Sequence, residues 1–414
     1  MSASVTLPRL RRDMPLLDAS PADDRWVRRR VTLVWGLLVV NVLTYYPTTW
    51  SGEPLAIHIP STVGKIVTQG ALPVALVVAL TVNRRLLIRP NAYLCIVTLL
   101  ALAAFIVMLE PAHVGTIYRT FRMAGFVATL WLLTPWWGRR DMLLVRSHLV
   151  ALSAVLGVVL LGLLVKPKTA LAQHRLEGAI WPDPPTQVAH YAAVLVGIII
   201  LLWMCSLVSG RLAFIAVAIA VPVLLLTHTR TALVGLLAGL FVGGISLFRA
   251  RARVRRLFAG IGVIASIAAI TLSGFLTTWL ARGESTQQLT SLTGRTSVWT
   301  ALLSAPRNEF QVIFGFGLSN LSFNGLSIDS NWLGSYLDLG LVGVVLTAAM
   351  LLFVLVSAYF RPLGPQRAIA LFLVTYCIVS SFTETGLSSP SLYFLELALA
   401  ASLLVVPTTS RGPA

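Results

Sequence analysis

From residue 29 onward the chain alternates long apolar runs with short polar gaps. A helical run of about 20 residues matches a hydrocarbon core roughly 30 Å thick. Such runs predict helices over 29–47, 64–83, 91–110, 116–137, 146–166, 187–207, 211–228, 231–248, 257–279, 333–360, 367–384 and 389–407. The expected fold class is all-α, a polytopic membrane bundle of about 12 transmembrane helices, with the two segments between 211 and 248 almost contiguous.

The polar gaps alternate in charge. Arg25, Arg28, Arg29 and Arg30 precede the first run, and every second gap after it is arginine-rich: Arg84, Arg85 and Arg89, then Arg139 and Arg140, then Arg249 to Arg256, then Arg361 and Arg367. The remaining gaps hold Glu53, Glu110, Glu177, Asp183, Glu284, Glu309 and Asp329. Arginine-rich loops stay in the cytoplasm, so both termini are expected there and the acidic loops outside. Residues 1–28 read as a disordered cytoplasmic tail, 29–408 as the transmembrane domain with external loops 167–186 and 280–332, and 409–414 as a cytoplasmic C-terminal tail. The large loop 280–332 precedes the tenth predicted helix.

Composition agrees. A chain of 414 residues with 57% hydrophobic and 11% charged residues, at a mean hydropathy of +0.84, is excluded from the soluble globular class. The net charge of +17 then reads as a topology signal and not as a nucleic-acid footprint. Cys95, Cys205 and Cys377 lie inside apolar runs without a pairing pattern and read as small hydrophobes. Trp50, Trp181, Trp279, Trp299 and Trp332 on one side, with Trp26, Trp136 and Trp137 on the other, fit interfacial aromatic belts. The N-terminus shows no removable signal peptide, and no internal repeat is visible.

Candidate chemistry concentrates outside. The longer loop holds Thr293-Gly294-Arg295, opening a short helix whose apolar positions Val298, Trp299, Leu302 and Leu303 are expected to lie on the membrane surface before Pro306. Gly315-Phe316-Gly317 reads as a turn, and Asp329-Ser330-Asn331 leads into the next helix. The shorter loop holds Arg175-Leu176-Glu177-Gly178, and His228-Thr229-Arg230 forms a third external point. Arg119 and Arg122, at i and i+3, place two guanidinium groups on one helix face. Several converging arginine forks suit a diphosphate, whose departure as a leaving group needs charge neutralisation more than a general acid. One carboxylate near the acceptor would then take the hydroxyl proton. Asp329 is the first choice for that base, with Glu177 and His228 as alternatives. The candidate diphosphate-binding set is Arg295, Arg230, Arg175, Arg119 and Arg122, and no metal or other cofactor is expected.

Arg175-Leu-Glu-Gly178, His228-Thr-Arg230, Thr293-Gly-Arg295 with Trp299, Gly315-Phe-Gly317 and the stretch from Asp329-Ser-Asn331 to Gly343 resemble the O-antigen ligase and O-antigen polymerase family of bacterial membrane glycosyltransferases. The resemblance covers about residues 165–345 by motif. It implies a C-type glycosyltransferase-like fold in the cytoplasmic (inner) membrane of a bacterium, which takes glycans linked to undecaprenyl diphosphate at the outer face of that membrane and passes them to a glycan or lipid acceptor. It further implies that Arg175, Arg230 and Arg295 hold the donor diphosphate. Many ligases of the family carry a His before the Asn of the last motif; here the residues are Asp329 and Ser330, a pattern closer to some polymerases.

Plainer readings stand beside these. Arg119, Arg122 and Arg230 could snorkel to head groups, Arg295 could be a solvated charge, and Asp329 could only cap the following helix. His58, His113 and His190 read as structural, while Glu384 and Glu396 either line the cavity or pair with a buried arginine. A transporter or flippase of a lipid-linked glycan is the alternative of another class. The shape, elongation, division and sporulation family of peptidoglycan polymerases is a third, and its motifs are not seen.

Overall fold

In a computed structural model of the chain, the described residues are 21–43, 45–109, 114–139, 141–248, 253–256, 260, 295–323 and 325–406. Among them the architecture is a helical bundle. Its elements are α1 (Pro21–Val42), α2 (Ser61–Val82), α3 (Ala92–Met108), α4 (Val114–Leu132), α5 (Leu143–Val165), the single turn α6 (Pro167–Ala170), α7 (Pro185–Met204), α8 (Gly210–Leu226) and α9 (Arg230–Phe248). From residue 295 onward come α10 (Arg295–Ser304), α11 (Glu309–Phe314), the hairpin β1 (Ser322–Phe323) and β2 (Leu326–Ser327), α12 (Asn331–Phe360), α13 (Pro365–Ser380) and α14 (Leu392–Leu404).

Every predicted run from 29–47 to 231–248 and from 333–360 to 389–407 overlaps one of these helices. Nearly all of the run 257–279, the loop residues 280–294 and the tail 409–414 lie outside the described residues. Among the described residues five helices are long and apolar enough to cross a membrane: α2, α5, α7, α9 and α12. Shorter apolar helices are α3, α8, α13 and α14. This is the make-up of a multi-pass helical membrane protein. The first helix begins at Pro21 and not near 29, because Asp24 and Arg28 close an i,i+4 ion pair that suits a helical turn.

The centre of the bundle is α7, 83% buried over its most apolar window, against 33% for α2 and α5, which face outward. Around α7 pack α8, α9 and α13, and α13 in turn meets α12 and α14. Close approach of α9 to α13 depends on small residues: a Cβ at Gly239 would lie 2.9 Å from the Phe372 carbonyl oxygen, and one at Gly243 2.8 Å from that of Ala368.

Interloop contacts sort the gaps onto two ends, in agreement with the charge alternation. At one end Arg139 pairs with Asp24 at 3.3 Å, Arg253 donates to the Trp203 carbonyl at 3.1 Å, and Arg361 donates to the Val405 carbonyl at 3.2 Å. At the other, Ser51 donates to Glu177, Lys166 to the Pro54 carbonyl at 2.8 Å, and Arg295 pairs with Asp329 at 3.0 Å.

The α10 helix departs from its expected setting. Val298 and Leu302 are buried against Ile328 and Leu337, with Trp299, Phe323, Leu333 and Tyr336 around them, so the apolar stripe packs on the hairpin and the start of α12. Of the four apolar positions, Leu303 is exposed. Arg307 completes this satellite core by lying 4.2 Å from the Tyr336 ring centroid. Trp137 is likewise covered by the protein itself.

Helix α12 is broken. Gly340 has φ +61°, outside the helical region, which separates the segment before it from the long apolar segment after it. The break leaves the carbonyls of Leu337 and Asp338 without their usual helical donors, and the turn Gly315-Phe316-Gly317 supplies replacements. Phe316 N–H donates to Leu337 O at 2.9 Å, and Gly317 N–H to Asp338 O at 2.8 Å. Backbones touch here: a Cβ on Gly340 would sit 2.5 Å from the Ile313 carbonyl.

Candidate functional site

The acidic end of the bundle assembles charges from four loops. Arg175 follows the short turn after α6. Its Nε donates to the Thr227 carbonyl at 2.9 Å and its Nη2 to the Thr229 hydroxyl at 3.4 Å. Those acceptors belong to the tight turn between α8 and α9, where His228 takes φ +51°. The turn is tied further to the loop after α13, because the hydroxyls of Thr231 and Thr383 are 2.7 Å apart. Arg230 opens α9 beside it, half-buried.

Arg295 and Asp329 come from the other side. Arg295 begins α10, and its Nε lies 3.0 Å from Asp329 Oδ2. Asp329 Oδ1 also accepts from the Ser327 hydroxyl at 2.7 Å, so the hairpin and α10 fix this carboxylate from both sides. The residue that precedes α12 as its cap is Ser330, which makes no side-chain capping bond; Asp329 therefore serves an ion pair and not a helix terminus.

Between these arginines stands Glu384, on the loop after α13. Its carboxyl is pushed up to about 7, first by burial and then by repulsion from Asp329, against the pull of Arg295 and Arg175. Four charged groups from four loops thus share one electrostatic neighbourhood. Asn331 holds the loop in place: its N–H donates to the Ser381 carbonyl at 2.9 Å and its Oδ1 accepts from Leu387 N–H at 2.7 Å. Trp332 adds a bond from Nε1 to the Ser381 hydroxyl at 3.1 Å. A narrow crevice lined by Ser380, Ser381, Glu384, Thr385 and Tyr393 leads from Glu384 into the bundle.

Below that crevice is a second polar cluster, within the membrane-spanning region. His190 Nε2 on α7 lies 2.7 Å from Glu396 Oε1 on α14, and His190 Nδ1 is 3.0 Å from the Tyr376 hydroxyl on α13. Glu396 therefore pairs with a histidine and not with an arginine. On α5, His148 Nδ1 accepts from Trp35 Nε1 at 3.2 Å.

The remaining candidates are drawn elsewhere. Glu177 is buried and both its oxygens accept from Ser51, one from the N–H at 3.1 Å and one from the hydroxyl, which pins the 45–60 segment to the shorter loop. Arg122 donates from Nε to Asn41 Oδ1 at 3.1 Å and from Nη2 to the Asn41 carbonyl at 2.7 Å, bracing α4 against α1. Arg119, one turn earlier, is half-buried and within electrostatic reach of both Arg122 and Asp338. Asp338 is buried and accepts from Ser319 N–H at 3.1 Å.

Two acidic groups were left without a definite role by the sequence. Glu384, the last residue of a predicted apolar run, read either as lining the cavity or as pairing with a buried arginine; in the structure it lies on the loop after α13, within electrostatic reach of Arg175 and Arg295. Asp183 belongs to the shorter loop and is fully enclosed; burial raises it to about 7, opposed by a hydrogen bond from the Tyr191 hydroxyl. Among the described residues no three His, Cys, Asp or Glu side chains converge as a metal-binding group.

The fold and its two polar clusters define a multi-pass helical membrane protein with a charged site at one end. No protein-family model and no curated protein matches this chain.

Proposed function

We propose that the chain is a membrane glycosyltransferase that transfers or polymerises glycans carried on undecaprenyl diphosphate, at the membrane face opposite the arginine-rich loops. The observation that carries this reading is the convergence of Arg175 and Arg295 on the carboxylates Asp329 and Glu384. A lipid diphosphate needs guanidinium groups for the charge it develops on leaving, and the acceptor hydroxyl needs a carboxylate to take its proton.

The arrangement also supplies an order of events. Arg295 and Asp329 neutralise each other while the site is empty of donor. An arriving diphosphate competes for Arg295 with more charge and more acceptor oxygens than one carboxylate, and Asp329 is released as the base. Arg175, anchored through the Thr227 carbonyl, and Arg230 beside it, complete the anion cradle. Glu384 lies at the edge of this cradle, near its own titration point at neutral pH.

The test is a transfer assay on the purified full-length protein with undecaprenyl-diphosphate-linked repeat units, resolved on a gel. A ladder of lengthening glycans that disappears in Arg295→Ala supports polymerisation and the arginine's role. Loss of the lipid-linked donor only when a second acceptor is added supports ligation. A donor pool unchanged under every acceptor condition would sink the transferase reading. One further reading has its own support: the break at Gly340 and the intramembrane pair His190–Glu396 are features of transporters. Movement of a lipid-linked glycan across proteoliposomes without glycan transfer would favour it.

A further inference from the structure

At the arginine-rich end, far along the chain from the charged site, lies a cavity of about 670 Å3 lined by Trp26, Thr81, Asn83, Arg84, Arg85 and Trp136, among others. It is within the roughly 300–1,000 Å3 range of sites that hold small molecules. From it we propose a binding site for the phosphate head group of an anionic membrane phospholipid, gripped by Arg84 and Arg85.

The walls are built by the protein's own bonds. Asn83 ends α2 and folds the following loop: its Oδ1 accepts from Leu87 N–H at 2.9 Å, and its Nδ2 donates to the carbonyls of Leu87 at 2.8 Å and Leu132 at 3.0 Å. Arg89 N–H donates to the Thr134 hydroxyl at 3.0 Å, fastening the far end of the loop beside Trp136. On the facing wall, Arg30 bonds Thr81 at 3.0 Å and lies 3.9 Å over the Trp26 ring.

Charge is distributed unevenly around this cavity. Its neighbours Arg28 and Arg139 are neutralised by Asp24 and Asp141 at 2.6–3.3 Å. Arg84 and Arg85 are exposed, and among the described residues no carboxylate lines the cavity with them and neither makes a salt bridge. Two adjacent guanidinium groups so placed are suited to an external phosphate.

The lip of the cavity identifies the phosphate as a lipid's. Leu86, Leu87 and Ile88 follow the arginine pair directly and are 57%, 58% and 54% exposed. Three large apolar side chains would be an unfavourable rim for a soluble anion, but they continue an acyl surface below a head group. The tryptophans Trp26 and Trp136 place the cavity at the depth where aromatic rings meet head groups.

Native mass spectrometry of the full-length protein in detergent tests this, with phosphatidylglycerol, phosphatidylcholine and glycerol 3-phosphate as probes. Wild type should retain phosphatidylglycerol, and Arg84→Ala/Arg85→Ala should retain at least ten-fold less. Arg253→Ala, which removes an arginine at the same end but outside the cavity, should behave as wild type. Unchanged retention in the double variant, or equal loss in Arg253→Ala, overturns the site. Retention of glycerol 3-phosphate as firm as that of the lipid overturns the lipid as its source. Wild-type protein cross-linked with a photoactivatable phosphatidylglycerol gives a check that needs no variant: adducts should map to the peptide containing residues 81–88, and adducts confined to other segments refute the proposal.

Discussion

The two ends of the bundle use arginine differently. At the basic end Arg28, Arg139, Asp24 and Asp141 form a partly exposed network, two of whose contacts join residues only two or four positions apart. At the acidic end Arg295 meets Asp329 from 34 residues away, and Arg175 is held by a turn 52 residues further on. Partly exposed ion pairs contribute little to stability at either end; what the acidic end adds is a buried carboxyl, Glu384, set among Arg175, Arg295 and Asp329.

The sharpest way to break this comparison is to truncate one arginine at each end. Arg295→Ala should lower transfer about 100-fold or more, the cost of removing one preorganised donor from a developing anion. Arg139→Ala should change the same rate less than about two-fold, in the same gel assay. Similar losses in both variants would erase the distinction.

Next in size is the break in α12, which carries Asp338 and leads into the site. Gly340→Ala forces a Cβ into a left-handed residue and onto the Ile313 carbonyl, 2.5 Å away. The expected loss is about 1–3 kcal/mol or more, read as a lower thermal midpoint in detergent. Gly364→Ala, with no atom nearer than 4.0 Å, should be close to neutral.

The pH dependence sharpens the comparison at the acidic end. Asp183 titrates near 7 in the folded protein against an ordinary 3.8, so the fold holds its proton more tightly than the unfolded chain does. The stabilisation is complete below about pH 4 and is lost as pH rises through 7. Asp183→Asn should raise the thermal midpoint at pH 8 by a few degrees and leave it nearly unchanged at pH 4. A wild-type midpoint flat over that range would contradict the burial of this acid.

The smallest expected effect concerns the arginine that sequence placed in the site and structure placed against α1. Arg122→Lys keeps the charge but cannot reproduce the two-pronged bond to Asn41, and should cost about 1 kcal/mol with little change in transfer. A large loss of activity at unchanged stability would return Arg122 to the diphosphate.

Much of the bundle was legible because apolar runs and arginine placement are local properties. Hydropathy located the helices to within several residues, and the charge alternation anticipated which loops meet. The missed features share a cause. Val298 and Leu302 looked suited to a membrane surface, since an apolar stripe does not record whether lipid or Ile328 and Leu337 will cover it. Arg119 and Arg122 looked like a pair, but helix spacing does not say what stands opposite each. Glu384 was one acid at the end of an apolar run until Arg175, Arg295 and Asp329 surrounded it.

By itself, then, the sequence determined that the chain forms apolar helices with arginine-rich gaps at one end and acidic gaps at the other, because bilayer thickness and membrane charge asymmetry act on each segment separately. Tertiary structure alone decided which carboxylates meet which arginines, that Glu396 takes His190 as its partner, and that α12 breaks where Gly340 meets the backbone at Ile313. Those outcomes depend on loops far apart in the chain competing for the same few hydrogen-bond donors in a space without water, and that competition exists only once the helices have packed.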